Sequence, residues 1–194
     1  MLEAPKSPTK KLEYVVKRAW EDVEQPHLQP YVAKLKYEDR QCTLEMCLTA
    51  QEADIYQNAR AEYDKALRTS SDQRMIQHLK SQRFICLHDH FTEQIRKFDS
   101  IRRDDPCALD RTIEYCQVQI QYAPVARRAF ENDPFHPHMP EHPGYHCLIQ
   151  ILEEEEKVGE ALYLAKLAWE EGWKGDWAGW MDHLANRARR TTSP

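Results

Sequence analysis

The positions of the glycines constrain this chain more than any other feature of its sequence. The 194 residues include five glycines, and none of them precedes residue 144. Glycine is the residue that takes positive φ without strain, and it lets a backbone wrap closely around a phosphate group. The first 143 residues therefore contain no glycine-rich nucleotide-binding loop. We expect this part of the chain to consist mainly of helices.

Composition narrows the class of protein further. The formal net charge is −5, charged residues make up 30% of the chain, and the mean hydropathy is −0.80. These values predict a soluble protein, and no apolar run approaches the roughly 20 residues that a membrane-spanning helix needs. The lysines near the start precede no apolar stretch of signal-peptide length, so we expect a cytoplasmic protein.

The charge distribution argues against nucleic acid as the partner. An acidic chain of this kind lacks the broad basic surface that binds phosphate backbones. Its basic end is the short run of Arg187, Arg189 and Arg190. These arginines would be the contact region if the chain bound nucleic acid, but they also suit the end of a helix, where they complement the helix dipole.

The six cysteines are scattered and include no CxxC pair, so the sequence predicts free thiols rather than disulfides. Several of them fall on predicted apolar stripes, where cysteine acts as a small buried hydrophobic residue. The cysteines are Cys42, Cys47, Cys86, Cys107, Cys116 and Cys147.

The N-terminal region, residues 1–70, is predicted to be mainly helical. An apolar stripe favours a helix over residues 8–24. Residues 31–48 alternate apolar and polar side chains, which fits a small β-hairpin, but the connecting residues lack the Asn-Gly or Asp-Gly pair typical of hairpin turns. The same residues also fit short helices, so both interpretations stay open. Thr49 and Glu52 then form a capping box that starts the next helix.

A central helical hairpin is predicted over residues 71–130. Its first helix spans residues 72–101, where apolar side chains recur at three- and four-residue steps. Asp105 and Pro106 supply a cap and a first-turn proline for the second helix, which is expected to end at Pro124. The two long helices are expected to form the centre of the fold.

Prolines spaced three residues apart follow the central hairpin. They forbid regular helix, so residues 131–143 are predicted to be an extended connection that runs partly as polyproline II. These prolines are Pro134, Pro137, Pro140 and Pro143.

The C-terminal part, residues 144–190, is predicted to be a helical hairpin followed by a capping helix. Gly159 is expected to break the hairpin, and Asp176 is expected to cap the last helix, which docks on the hairpin. Trp173 and Trp177 are predicted to be buried. The apolar face of the first helix consists of Tyr145, Leu148, Ile149 and Leu152, and the small residues that let the second helix approach it are Ala161, Ala165 and Ala168.

Residues 145–173 resemble a tetratricopeptide repeat. An aromatic residue is followed by Leu148 and Leu152, a glycine stands at the turn, and alanines recur along the second helix. Residues 84–124 resemble the same helix pair more weakly. The resemblance implies helical hairpins that present a concave surface to a protein or peptide, without catalytic activity of their own. Ile149, where this family usually has a small residue, and the long proline-rich connection depart from the pattern.

We therefore predict a mainly α protein of antiparallel helical hairpins that acts as a non-catalytic adaptor and needs no cofactor. No catalytic motif is evident in the sequence, and the expected partner is another protein or peptide. Exposed tryptophans would serve self-association as an alternative. The expected contact residues, chosen by position, are Tyr145, Gln150, Lys166 and Trp169.

A group of histidines supports an alternative from another class, a zinc enzyme or a zinc-stabilised domain. Imidazole is a preferred zinc ligand, and histidines four residues apart on a helix can share one ion. No HExxH motif accompanies the group, and a surface loop is the competing interpretation. The candidate ligands are His136, His138, His142, His146 and Cys147.

Two further polar groups are interpreted as structural. His88 and His90 lie two residues apart on the predicted long helix and point to different faces, so one is expected in solvent and the other packed. The four glutamates of residues 153–156 wrap around a helix and are expected to form a solvated face, with docking of a basic partner as the alternative.

Overall fold

The computed structural model describes residues 31–39 and 42–191. Within them lie six helices and one two-stranded antiparallel sheet, which confirms the mainly α prediction. The helix predicted over residues 8–24 lies outside the described residues. In chain order the elements are β1 (Tyr31–Glu38), β2 (Thr43–Thr49), α1 (Ala50–Thr69), α2 (Gln73–Asp99), α3 (Pro106–Asn132), α4 (Pro143–Glu154), α5 (Val158–Glu170) and α6 (Trp177–Thr191).

Tyr31–Glu38 and Thr43–Thr49 pair as the antiparallel strands of the β-hairpin and do not form short helices. Leu35 pairs with Met46, and both side chains point into the core. Asp39 closes the turn, because its N–H donates to the Cys42 carbonyl at 2.9 Å and its carboxylate accepts the Cys42 N–H at 2.7 Å. An aspartate side chain that bonds to nearby backbone in this way supports a turn without the Asn-Gly pair.

Three of the predicted helix starts are confirmed by their caps. At α1 the Thr49 N–H donates to Glu52 Oε2 at 2.8 Å, and the Glu52 N–H donates to Thr49 Oγ1 at 3.4 Å, which is a complete capping box. Asp72 caps α2, and Asp105 caps α3 through the N–H of Cys107 at 2.9 Å. Local side-chain chemistry therefore sets where the long helices begin.

The prediction that the second long helix ends at Pro124 is wrong, because α3 continues to Asn132. A proline inside a helix lacks an N–H and removes one hydrogen bond of the helix. The residues on both sides of Pro124 are buried in the core, where Ala123, Val125 and Ala126 have no exposed surface. Burial of this face offsets the lost hydrogen bond and keeps the chain helical.

Helices α4 and α5 form the predicted hairpin, and the predicted apolar and alanine stripes of both helices are buried. The turn does not lie at Gly159, which is already inside α5. The chain reverses at Glu156, which has a φ of 63°, and the Lys157 N–H donates to the Leu152 carbonyl at 2.8 Å. This is the Schellman geometry of a helix C-terminus, with glutamate where glycine is usual.

The proline-rich connection runs from α3 to α4 and is fixed to the segment before α6. The Lys174 N–H donates to the Pro140 carbonyl at 3.0 Å, and Glu141 forms a parallel bridge with Lys174. Trp173 and Trp177 are buried as predicted. Asp176 caps α6 as predicted, since its carboxylate accepts the Gly179 N–H at 3.0 Å.

One side chain fastens three helices together. The Gln119 amide of α3 donates to the His88 carbonyl of α2 at 3.0 Å and to Thr92 Oγ1 at 2.7 Å. Its oxygen accepts the N–H of Gly144 at the start of α4 at 2.8 Å.

The buried apolar residues form one core that runs from Leu35 in β1 to Leu184 in α6. Among the described residues, no helix combines the length and apolar character that crossing a bilayer requires.

Candidate functional site

A cleft of about 380 Å³ opens between α2, the start of α4 and the segment that leads into α6. We call it the α2–α4 cleft. Helix α2 contributes its last two turns, α4 contributes its first two turns, and the bridge between Glu141 and Lys174 closes one side. Its lining residues are Ile95, Arg96, Asp99, Glu141, His142, Pro143, His146, Cys147, Gln150, Lys174, Gly175, Asp176, Trp177 and Trp180.

His142 is the most buried polar residue of this lining, with 1% of its surface exposed. Its Nδ1 accepts the Tyr145 N–H at 3.3 Å and thereby caps α4. Burial, with a further contribution from His88, lowers the pKa of His142 well below its ordinary value. The ring is therefore neutral at pH 7, and because Nδ1 accepts, the proton resides on Nε2.

Cys147 contacts an acid rather than a base. Its thiol donates to Asp99 Oδ1 at 3.2 Å, and the same oxygen accepts from Arg102 Nε at 2.7 Å. Cys116 lies beside it, and burial together with the hydrogen bond to Cys147 raises the pKa of Cys116 well above its ordinary value. Nucleophilic cysteines are activated by a neighbouring histidine, cation or helix N-terminus. The Cys147 thiol is hydrogen-bonded to a carboxylate instead.

The rim of the cleft combines aromatic and charged side chains. Trp180 is half-buried, and its ring meets the exposed ring of His146 edge-on with centroids 5.5 Å apart. Arg96 and Lys174 are both exposed at the rim. Within residues 31–39 and 42–191, neither cation has an ion-pair partner. The rim can therefore offer an apolar surface and positive charge to a bound group.

The four predicted contact residues lie in three different environments. Tyr145 has no exposed surface, and its hydroxyl donates to Glu171 at 2.9 Å, so its side chain cannot reach a partner in this conformation. Gln150 lines the α2–α4 cleft. Lys166 and Trp169 are exposed on α5, where Trp169 has 58% of its surface accessible.

The five predicted metal ligands are not brought together as one cluster. His142, His146 and Cys147 line the cleft, whereas His136 contacts Asp133 and His138 is exposed. Helical spacing places His142 and His146 on one side of α4. It does not orient residues in the proline-rich connection, which is why the sequence grouped them wrongly.

The interpretation of His88 and His90 is wrong in one respect, because both are buried. His88 stacks on Trp173 with ring centroids 5.5 Å apart and lies edge-on to Phe130 and His142. It is packed among aromatic rings from several segments, which residue spacing on one helix does not reveal.

The acidic run is not simply a solvated face. Glu153 binds His183 and Arg187 of α6, and Glu154 accepts from Arg102 Nη1 at 2.6 Å. These two glutamates therefore join α4 to other segments of the fold.

The side of the cleft that α2 provides carries no signal in the sequence. Ile95, Arg96 and Asp99 belong to a long amphipathic pattern without a motif, and they meet α4 only through tertiary packing. Lys174 lies between α5 and α6, and no motif marks it either.

Comparison with known proteins places the chain in no family: no protein-family model matches it, and neither a curated protein nor a solved structure does so.

Proposed function

We propose that the chain is a non-catalytic binding protein that holds a short segment of another protein in the α2–α4 cleft. The observation that carries the proposal is the cleft itself, which three separate parts of the chain build and which contains Gln150, one of the predicted contact residues. The tetratricopeptide-like interpretation of α4 and α5 belongs to the same proposal, since such hairpins present peptide-binding surfaces.

The chemistry of the rim suggests the kind of segment that fits. The half-buried Trp180 offers apolar surface, and the exposed Arg96 and Lys174 offer positive charge on the same lining. Of the three carboxylates on the lining, Asp99 accepts from Arg102 and Asp176 accepts the Gly179 N–H, which leaves the exposed Glu141 against the two cations. The preferred segment therefore has an apolar or aromatic side chain next to an acidic one.

The polar groups of the cleft support binding rather than catalysis. The neutral His142 uses Nδ1 to cap a helix, and the Cys147 thiol donates to Asp99. A nucleophile activated by a neighbouring base would need a different pairing of these groups. Both residues instead hold the walls of the cleft in place.

Selection of peptides from a random display library against the purified protein tests the proposal. We expect enrichment of short sequences that combine an acidic and an apolar residue. The affinity for a synthetic copy of a selected peptide, measured by fluorescence polarisation, should weaken at least about tenfold in Arg96→Glu and in Gln150→Ala, because both side chains line the cleft.

Lys80→Glu provides the matched control, because Lys80 is an exposed cation on the same helix as Arg96 but outside the cleft. Its affinity for the selected peptide should equal that of the natural protein. Peptides that bind the cleft variants as well as the natural protein, or a selection that enriches no sequence, would contradict the proposal.

A further inference from the structure

A second polar cluster lies outside the residues that line the cleft and consists of His78, Asp133 and His136. The Nδ1 of His78 is 2.9 Å from each carboxylate oxygen of Asp133, and the Nδ1 of His136 is 3.0 Å from Asp133 Oδ2. One potential ligand atom from each residue lies within 4.8 Å of the other two. We call these three residues the His-Asp-His cluster.

A tight turn after α3 builds one side of this cluster. Asp133 is the C-cap of α3, and the His136 N–H donates to the Asp133 carbonyl at 3.2 Å. Proline at the second position of this turn has the φ that such a turn needs. The turn brings His136 Nδ1 to 3.0 Å from Asp133 Oδ2.

Helix α2 holds the same turn from the other side and brings in His78. Arg74 Nη2 donates to the Pro134 carbonyl at 3.2 Å, and Gln77 Nε2 donates to the Asn132 carbonyl at 3.1 Å. His78 lies one turn further along α2, on the side that faces Asp133. These hydrogen bonds from α2 side chains to backbone carbonyls therefore position all three side chains before any ligand binds.

Asp133 is held as a buried anion. Its side chain has no exposed surface, and it accepts the Phe135 N–H at 2.9 Å and Gln82 Nε2 at 3.3 Å. Burial raises the pKa of Asp133, but the hydrogen bonds from Phe135, His78 and His136 outweigh this effect and bring it below the ordinary value. Hydrogen bonds from groups that are not themselves ligands, here Phe135 and Gln82, are typical of carboxylates that ligate metals.

The histidines leave a path to solvent. The side chain of His78 is 24% exposed and that of His136 is 39% exposed, so an ion can enter beside the buried carboxylate. Ligand atoms around tetrahedral zinc are about 3.3 Å apart, given zinc–ligand bonds of about 2.0 Å. The two His–Asp separations of 2.9 and 3.0 Å are close to this value, and the three ligand atoms all lie within 4.8 Å of one another.

We propose that the His-Asp-His cluster binds one Zn²⁺ ion through one atom of each residue, with water completing the coordination. Two imidazole nitrogens and one carboxylate oxygen form a ligand set that suits zinc. The ion would link α2 to the segment after α3, which are more than fifty residues apart in sequence, and would therefore stabilise the folded chain.

Zinc titration of the tag-free protein, after removal of metal with a chelator, tests this site. We expect one Zn²⁺ per chain, measured by competition with a chromophoric chelator. His78→Gln and His136→Gln should each weaken zinc affinity by about a hundredfold or more, because each removes one of three ligands, and loss of even an outer hydrogen-bond partner costs about 10- to 100-fold. His138→Gln removes an exposed histidine outside the cluster and should leave the affinity unchanged.

A chemical protection experiment on the natural protein provides a second test, which does not depend on how well a variant folds. Zinc should slow modification of His78 and His136 by diethyl pyrocarbonate, detected by mass spectrometry, while His138 reacts as before. Zinc binding that survives both cluster substitutions would overturn the proposal. Loss of binding in His146→Gln alone would also overturn it, since the ion would then lie in the cleft.

Discussion

The Gln119 side-chain oxygen accepts the backbone N–H of Gly144 at 2.8 Å, at the point where α4 begins. A Cβ atom at residue 144 would lie 2.8 Å from this oxygen and 3.0 Å from the backbone carbonyl oxygen of Cys116. The close approach of α3 and α4, and with it the placement of His142 in the cleft, depends on glycine at this position.

Gly144→Ala should therefore lower the free energy of unfolding by about 1–3 kcal/mol, the usual cost of overpacking against fixed backbone. Urea denaturation measures the effect. Gly159→Ala is the matched control, because a Cβ there meets no atom within 4 Å and alanine favours helix. That control should match or exceed the natural protein in stability, and equal losses in both variants would contradict the prediction.

Glu156→Gly should stabilise the chain by about 1 kcal/mol. Glu156 adopts a φ of 63°, a region in which a side chain is strained and glycine is not. Glu155→Gly serves as the comparison, because Glu155 has a φ of −82° and gains nothing from glycine. The two midpoints of urea unfolding should move in opposite directions. A lower midpoint for Glu156→Gly would show that its side chain contributes more than the strain costs.

Glu114 should make stability depend on pH. Burial raises its pKa to about 7, with Arg111 opposing the rise and Glu52 adding to it. Because the pKa of Glu114 is higher in the folded chain than in the unfolded chain, the folded chain holds the proton more tightly. The contribution of Glu114 to the free energy of unfolding is therefore complete below its ordinary pKa of 4.5 and is lost as pH rises to about 7. The slope across that window is at most about 1.4 kcal/mol per pH unit.

Glu114→Gln removes this titration. Relative to the natural protein, it should be more stable at about pH 8 than at about pH 5, as measured by urea unfolding at both values. Glu62→Gln changes an exposed glutamate and should show no such difference. A constant difference between Glu114→Gln and the natural protein at both pH values would contradict the assignment.

Tyr145 and Trp169, which the sequence analysis placed in one contact surface, should behave differently. Tyr145→Ala deletes a fully buried ring and its hydrogen bond to Glu171, so it should cost about 3–5 kcal/mol of stability. Trp169→Ala changes an exposed side chain and should alter stability by no more than about 0.5 kcal/mol. Thermal melting distinguishes the two, and similar melting temperatures would contradict this placement.

Local patterns predicted most of the helices because the interactions behind them are local. The Thr49–Glu52 capping box and the Asp105 cap act within one turn of helix, so a few residues suffice to locate the starts of α1 and α3. The prediction failed at Pro124, where burial of the surrounding face outweighs the preference of proline to end a helix.

Residue spacing alone was enough to predict the helical class, most helix starts, the buried stripes of α4 and α5, and the burial of Trp173 and Trp177. Each of these follows from side chains a few residues apart. The packing of whole helices is what brings Arg96 and Gln150 to one cleft and His78 to Asp133. These residues are separated by about fifty positions, and their proximity depends on how whole helices pack, which residue spacing within one helix does not encode.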